Sequence, residues 1–190
     1  MSLEKTVLAE KKILEKTFNK SFNIIHNVTD SIIIDLIESW IGKQTSDLTE
    51  PSNLALLTIA NKLINKNVKK IIIIAYSQGT IILAKALNNL HILGLNTNEY
   101  LSKLELYCFA NCASNMQFIN QNLPYMEHFA NDEDFVAKLG CNCSKELKDI
   151  IKIDGKVFIN KHMAGHMLTT HYLYRFNENY PKSRLLKYTK

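Results

Sequence analysis

The chain reads as an α/β domain in three layers, α/β/α, around a mostly parallel sheet. Three observations predict it. Strand-like runs alternate with helix-patterned stretches, the order that gives a parallel sheet flanked by helices. One run, "KKIIIIAY" at 69–76, is continuously apolar, as strands buried on both faces of such sheets are. The 190 residues, 46% hydrophobic and without repeats or low-complexity tracts, suffice for one core in a single domain over 1–190 and exclude disorder as the main state.

The elements follow in order. Residues 3–18 carry an amphipathic helix with Leu3, Val7, Leu8, Ile13, Leu14 and Phe18 as its apolar stripe. "FNIIHNVT" at 22–29 reads as a strand and "DSIIIDLIESWIG" at 30–42 as a helix closed by Gly42. A helix from Asp47 or Thr49 to Ile64 tolerates Pro51 in its first turn. After the apolar strand comes a helix from Gln78 to Leu90, then strands at 103–110 and 125–130, and a short helix "DFVAKLG". Asp154-Gly155 between two apolar runs at 150–160 predicts a late β-hairpin. "GHMLTTHYLYRF" is expected to form the last helix.

Composition narrows the function classes. The net charge of +5 comes from scattered lysines, with one concentration in "PKSRLLKYTK", where Lys182, Arg184, Lys187 and Lys190 have no acidic neighbour in sequence. Without an aromatic-and-basic motif nearby, this reads as a solvated tail and not a nucleic-acid site. Cys108, Cys112, Cys141 and Cys143 lack the spacing of a structural zinc site and read as free, mostly buried thiols. The first 18 residues have no apolar signal-peptide core, and the 71–87 run is too short and too interrupted to span a membrane. The expectation is a soluble, cytoplasmic protein.

"AYSQG" at 75–79 places Ser77 on a sharp turn between strand and helix, with small residues two before and two after it. Small residues there let the turn pass close to neighbouring backbone, and the spacing is that of a nucleophile elbow, G-x-S-x-G, with Ala75 for the first glycine. The helix that follows begins with N–H groups and a positive dipole end, so the Gln78 amide can stabilise an oxyanion formed at Ser77. The alternative is that Ser77 only caps the helix. Against it, Gly79 is one of six glycines and sits early in a helix, where glycine costs about 1 kcal/mol relative to alanine.

Downstream lie "HFANDEDFVAKLG" and then "HMAGHMLTTH". With "AYSQGT", "D-F-V" and Gly165-His166, residues 20–175 resemble the α/β-hydrolase superfamily, its lipase-like and esterase-like members in particular. The resemblance implies a serine nucleophile, Ser77, an acid, Asp134, and a base, His166, in a two-step acyl transfer on an ester or thioester without metal or organic cofactor. Asp132 and Glu133 share the acid loop and remain open. His162 and His171 compete with His166, which Gly165 favours by freeing the backbone beside it. His26 and His91 lie outside the expected loops, and His128 falls in a strand.

The chain departs from that family upstream of Ser77. Only one predicted strand precedes the strand leading to it, so the loop that holds the family's second oxyanion donor is expected to be absent. The reading is then a reduced, N-terminally shortened hydrolase fold, with a homo-oligomer or partner chain possible at the N-terminal sheet edge. The rival function is a catalytically impaired hydrolase-like module for binding or assembly. An acyltransferase with the same three residues is a further option.

Overall fold

The computed structural model describes residues 3–26, 48–118, 120 and 123–189. Helix α1 (Leu3–Phe18) buries Leu14 and Phe18 of the expected stripe and leaves Leu8 and Ile13 exposed. Residues 21–26 form no strand, and the rest of the strand expected at 22–29, the 30–42 helix and Asp47 lie outside the described residues. Helix α2 (Glu50–Ile64) starts after Thr49, whose N–H donates to Ser52 Oγ at 2.7 Å. Pro51 sits in the first turn, where a missing N–H costs nothing.

Strand β1 (Ile71–Tyr76) leads through Ser77 into α3 (Gln78–Asn88). Then come α4 (Asn98–Leu101), β2 (Leu104–Phe109), β3 (Asn115–Met116), β4 (Tyr125–Asn131), α5 (Phe135–Lys138), β5 (Lys152–Ile153), β6 (Lys156–Asn160) and α6 (Phe176–Asn179). The main sheet has the order β1-β2-β4-β6 and is parallel throughout, while β3 and β5 pair in a small parallel sheet of their own. The α/β class with a parallel sheet, expected from the alternation of elements, is what the chain forms.

The strands buried on both faces are β2 and, apart from Tyr125, β4, not β1. All six β2 residues are buried, whereas β1 is the sheet edge among the described residues and its isoleucines are only partly covered. A run of four isoleucines reports apolarity, and the sequence does not say how many neighbours will cover it.

Register sorts the side chains into two faces. Phe109, Phe129 and Phe158 align across β2, β4 and β6, stacked at centroid distances of 4.6 and 5.5 Å. Tyr172, Phe176 and Tyr180 pack onto this row, so the segment after β6 covers that face. The opposite face presents Ala75, Leu106, Cys108, Met126 and His128. Helices α2 and α3 pack against each other, and α3 packs against β1.

The late hairpin does not form. β5 pairs with β3 and β6 pairs with β4, so Asp154-Gly155 steps the chain from one sheet to the other. Asp154 is held on three sides: its N–H donates to Met116 O at 3.1 Å, its carboxylate accepts from Phe118 N at 2.9 Å, and its carbonyl accepts from His128 Nε2 at 2.9 Å. Gly155, at φ +102°, passes where a Cβ would stand 2.7 Å from that of Met126. Gly155 still supplies the positive φ that such a dipeptide favours, but the partners of the two strands come from elsewhere in the chain.

The last helix is also broken up. Gly165 at φ +98° and the stretch to Met167 stay non-helical, a π-type turn spans Leu168–Tyr172 with Leu173 N bonded to Leu168 O at 2.9 Å, and Arg175 at φ 50° interrupts before α6.

Nor is the basic C-terminal segment a solvated tail. Glu105 and Glu127, both buried on the aromatic face, receive it. Arg184 and Lys187 reach Glu105 Oε1 at 2.6 and 3.0 Å, joined by Lys70 at 2.7 Å, while Tyr107 and Tyr188 donate to Oε2 at 2.8 Å each. Glu127 accepts from Ser183 Oγ at 2.6 Å, Arg184 N at 2.8 Å and Tyr125 Oη at 2.5 Å. Burial alone would raise the Glu105 carboxyl, and hydrogen bonds from Lys70 and the two tyrosines overcome it, bringing it down to about 2. Among the described residues, no helix is long and apolar enough to cross a membrane.

Candidate active site

Ser77 sits between β1 and α3 at φ 54°, ψ −129°. For a residue with a Cβ this is a strained conformation, costing on the order of 1–3 kcal/mol, and it persists only where the surroundings enforce it. Here they do. Ser77 N–H donates to Phe109 O at 3.0 Å, continuing the β1–β2 ladder, and the Ser77 carbonyl accepts from Thr80 N at 2.9 Å, Thr80 Oγ1 at 2.7 Å and Cys112 Sγ at 3.5 Å. The Ser77 side chain makes no capping bond to the helix. Its hydroxyl instead meets His166 Nε2 at 2.9 Å.

His166 Nδ1 lies 2.9 Å from Asp134 Oδ2 and 3.2 Å from Oδ1. A carboxylate can only accept here, so the proton belongs on Nδ1 and the Nε2 lone pair faces the serine hydroxyl. Asp134 caps α5, with Oδ1 accepting from Val136 N at 2.9 Å, and Oδ2 also accepts from Tyr172 Oη at 2.6 Å. Burial raises this carboxyl, and the bonds from His166 and Tyr172 outweigh that, so it stays below the ordinary aspartate value. Asp134 is 3% exposed and Ser77 8%, so the hydrogen-bonded series is shielded along most of its length.

The other candidates take different places. Asp132 accepts from Met163 N at 3.0 Å and Glu133 N–H donates to Met163 O at 3.1 Å, so both brace the loop leading to His166. His162 is exposed at φ 60°. His171 stands behind Gly165, where a Cβ would come within 2.6 Å of the imidazole, and its Nδ1 accepts from Met167 N at 2.9 Å. His128 is buried, and His91 is exposed and bonded to Asn88 O.

Gln78, the residue after Ser77, is the first of α3, so its amide stands in the opening turn of the helix. The close backbone approach expected at Gly79 is absent: a Cβ there would meet nothing within 4 Å. The tight glycines are Gly155 and Gly165, which shape other turns, and Gly140, packed on the Asn111–Cys112 backbone. All four cysteines are free, with Cys108 and Cys112 buried. Among the described residues, no three His, Cys, Asp or Glu side chains gather as metal ligands.

Sequence reasoning missed two tyrosines. Tyr76 lies against the His166 ring, tilted by 32° at 5.0 Å between centroids, and donates its hydroxyl to His166 O at 2.8 Å. Its position beside Ser77 in the elbow was the available signal. Tyr172 had none, because it arrives from a stretch expected to be plain helix. No family model, curated protein or solved structure matches the chain, and the chemistry of the site stands on its own geometry.

Proposed function

We propose that the protein is a serine hydrolase that cleaves a carboxylic ester, lipase- or esterase-like, through an acyl-enzyme. The observation that carries the reading is the unbroken series Ser77 Oγ, His166 Nε2, His166 Nδ1, Asp134 Oδ2, begun by a serine held at positive φ. A serine kept in strain, with its hydroxyl on an imidazole instead of its own helix, is poised as a nucleophile.

In the first step His166 Nε2 takes the Ser77 proton while Oγ attacks the ester carbonyl. The carbonyl oxygen gains the negative charge, for which the Gln78 amide is the assigned donor. Collapse of the tetrahedral intermediate expels the alcohol, which leaves with the proton from His166. Water repeats the sequence on the acyl-serine, giving up one proton to His166 and releasing the carboxylic acid as Ser77 recovers its own. Asp134 holds the tautomer and offsets the positive charge on the ring.

The rival reading, an assembly module, is favoured by one feature: no described residue pairs with the outer edge of β1, where Ile72 is 36% exposed. Labelling with a fluorophosphonate probe separates the two. The wild type should label and turn over a short activated ester, and Ser77→Ala should lose labelling and roughly 10⁴-fold or more of turnover with its circular dichroism unchanged. Equal turnover in the two proteins would remove the hydrolase reading.

A further inference from the structure

We propose that Tyr172 is a positioning residue of this site, its hydroxyl keeping Asp134 ionised and aimed at His166. The inference rests on the serine-hydrolase reading and adds a fourth side chain to it.

The hydroxyl has its direction set by its neighbours. Asn131 N–H can only donate, and it donates to Tyr172 Oη at 3.1 Å, so the single hydroxyl proton is directed to Asp134 Oδ2 at 2.6 Å. Oδ2 is the oxygen that also receives His166 Nδ1 at 2.9 Å, while Oδ1 is held by Val136 N. The carboxylate therefore cannot turn without giving up a donor on each oxygen. The ring of Tyr172 is fully buried and meets Phe109 edge-on at 5.9 Å, so the aromatic face of the sheet fixes where the hydroxyl stands. Burial, and then the carboxylate beside it, push the Tyr172 hydroxyl well above the ordinary tyrosine value, so it remains a donor wherever the site could work. The same strand end ties in the histidine loop, since Asn131 Nδ2 donates to Gly165 O at 3.0 Å.

Removing the hydroxyl leaves the ring packing in place and takes one charge-stabilising donor from Asp134. Its carboxyl pKa then rises, and Oδ2 is left with His166 Nδ1 alone to fix its direction. The expected signature is a kcat lower by roughly tenfold at nearly constant KM, the worth of one hydrogen bond to a charged group. The acidic limb of kcat/KM should move to higher pH, because the aspartate–histidine couple takes up its proton more readily. A tyrosine that only filled the core would change stability and leave the limb where it was.

The test compares the wild type, Tyr172→Phe and Ser77→Ala on a short activated ester from pH 5 to 9. Loss of turnover in Ser77→Ala together with a lower kcat and a displaced acidic limb in Tyr172→Phe supports the proposal. Loss in Ser77→Ala with an unchanged limb and kcat in Tyr172→Phe overturns it and leaves the hydrolase standing. Turnover that survives Ser77→Ala overturns both. If Tyr172→Phe does not fold, proton spectra of protein labelled with ζ-13C-tyrosine decide. Tyr107, Tyr125 and Tyr188 donate to Glu105 or Glu127 and Tyr76 donates to His166 O, so a tyrosine hydroxyl proton that responds to Asp134→Asn and persists in Tyr76→Phe belongs to position 172. Finding no such proton rejects the bond.

Discussion

Acidification should weaken this protein through one buried imidazole, His128. The ring is fully buried on β4, and its tautomer is set by its partners. Asn111 Nδ2 can only donate and lies 2.8 Å from Nδ1, and the Asp154 carbonyl can only accept and lies 2.9 Å from Nε2. The flip of Asn111 is itself fixed, because its Oδ1 accepts from Ala113 N at 2.8 Å. A neutral ring satisfies both contacts, and a protonated one would turn a second donor against Asn111. Burial lowers its pKa, only partly offset by the Asp154 carbonyl and the charges of Asp154 and Glu127, from 6.5 to about 4. The unfolded chain therefore takes up a proton near pH 6.5 that the folded chain refuses until about pH 4, so stability is fully present above 6.5 and is lost across that interval. At 1.36 kcal/mol per pH unit the loss amounts to about 3 kcal/mol. Urea unfolding at pH 7, 6, 5 and 4.5 should show a midpoint falling steadily in the wild type. The fall should be much smaller in His128→Gln, whose amide can accept and donate along the same two lines. Glu105, brought down to about 2, adds its own loss only below about pH 4.5. A wild-type midpoint that stays level from pH 7 to 4.5, or an equal slope in both proteins, would refute the reasoning.

Glu105→Gln should cost about 2–3 kcal/mol, since it removes the charge on which Lys70, Arg184 and Lys187 converge, and amide exchange at 184–188 should accelerate before the rest of the chain responds. Gly165→Ala puts a Cβ at φ +98° against the His171 ring, and should lower the melting temperature and reduce ester turnover together as the His166 loop shifts. Tyr76→Phe keeps the ring over His166 but loses the bond to its carbonyl, so turnover should drop several-fold with the melting temperature nearly unchanged, as read by steady-state kinetics beside a thermal scan.

What the sequence disclosed was whatever is local. The strand-turn-helix around Ser77 is written in six consecutive apolar residues, a small-residue frame and a helix pattern, and it folds that way. Asp134 and Gly165-His166 were legible as loop residues, and His166 hydrogen-bonds to both Ser77 and Asp134. Their catalytic roles remain the proposal made above. The illegible parts all depend on distant partners. Asp154-Gly155 is good turn chemistry, yet whether its flanking strands pair with each other is decided by β3 and β4. Glu105 and Glu127 look like ordinary strand carboxylates, and Arg184 and Lys187 like ordinary surface charge, because charge counting along a chain cannot see that these two sets bury each other. Tyr172 falls in the same class, since its meaning lies in an aspartate 38 positions earlier.

The pairing of buried carboxylates with late cations also sets an order of events during synthesis. Glu127 has only Tyr125 nearby in sequence and waits 57 residues for the Arg184 backbone, while Glu105, with Lys70 and Tyr107 at hand, waits 82 for Lys187. Until residues 183–188 leave the ribosome, closing the aromatic face would trap two acids short of the donors that make their burial tolerable. A sheet that closed over Glu105 and Glu127 before that segment was made would bury both carboxylates without the Arg184, Lys187 and Ser183 partners that hold them in the folded chain.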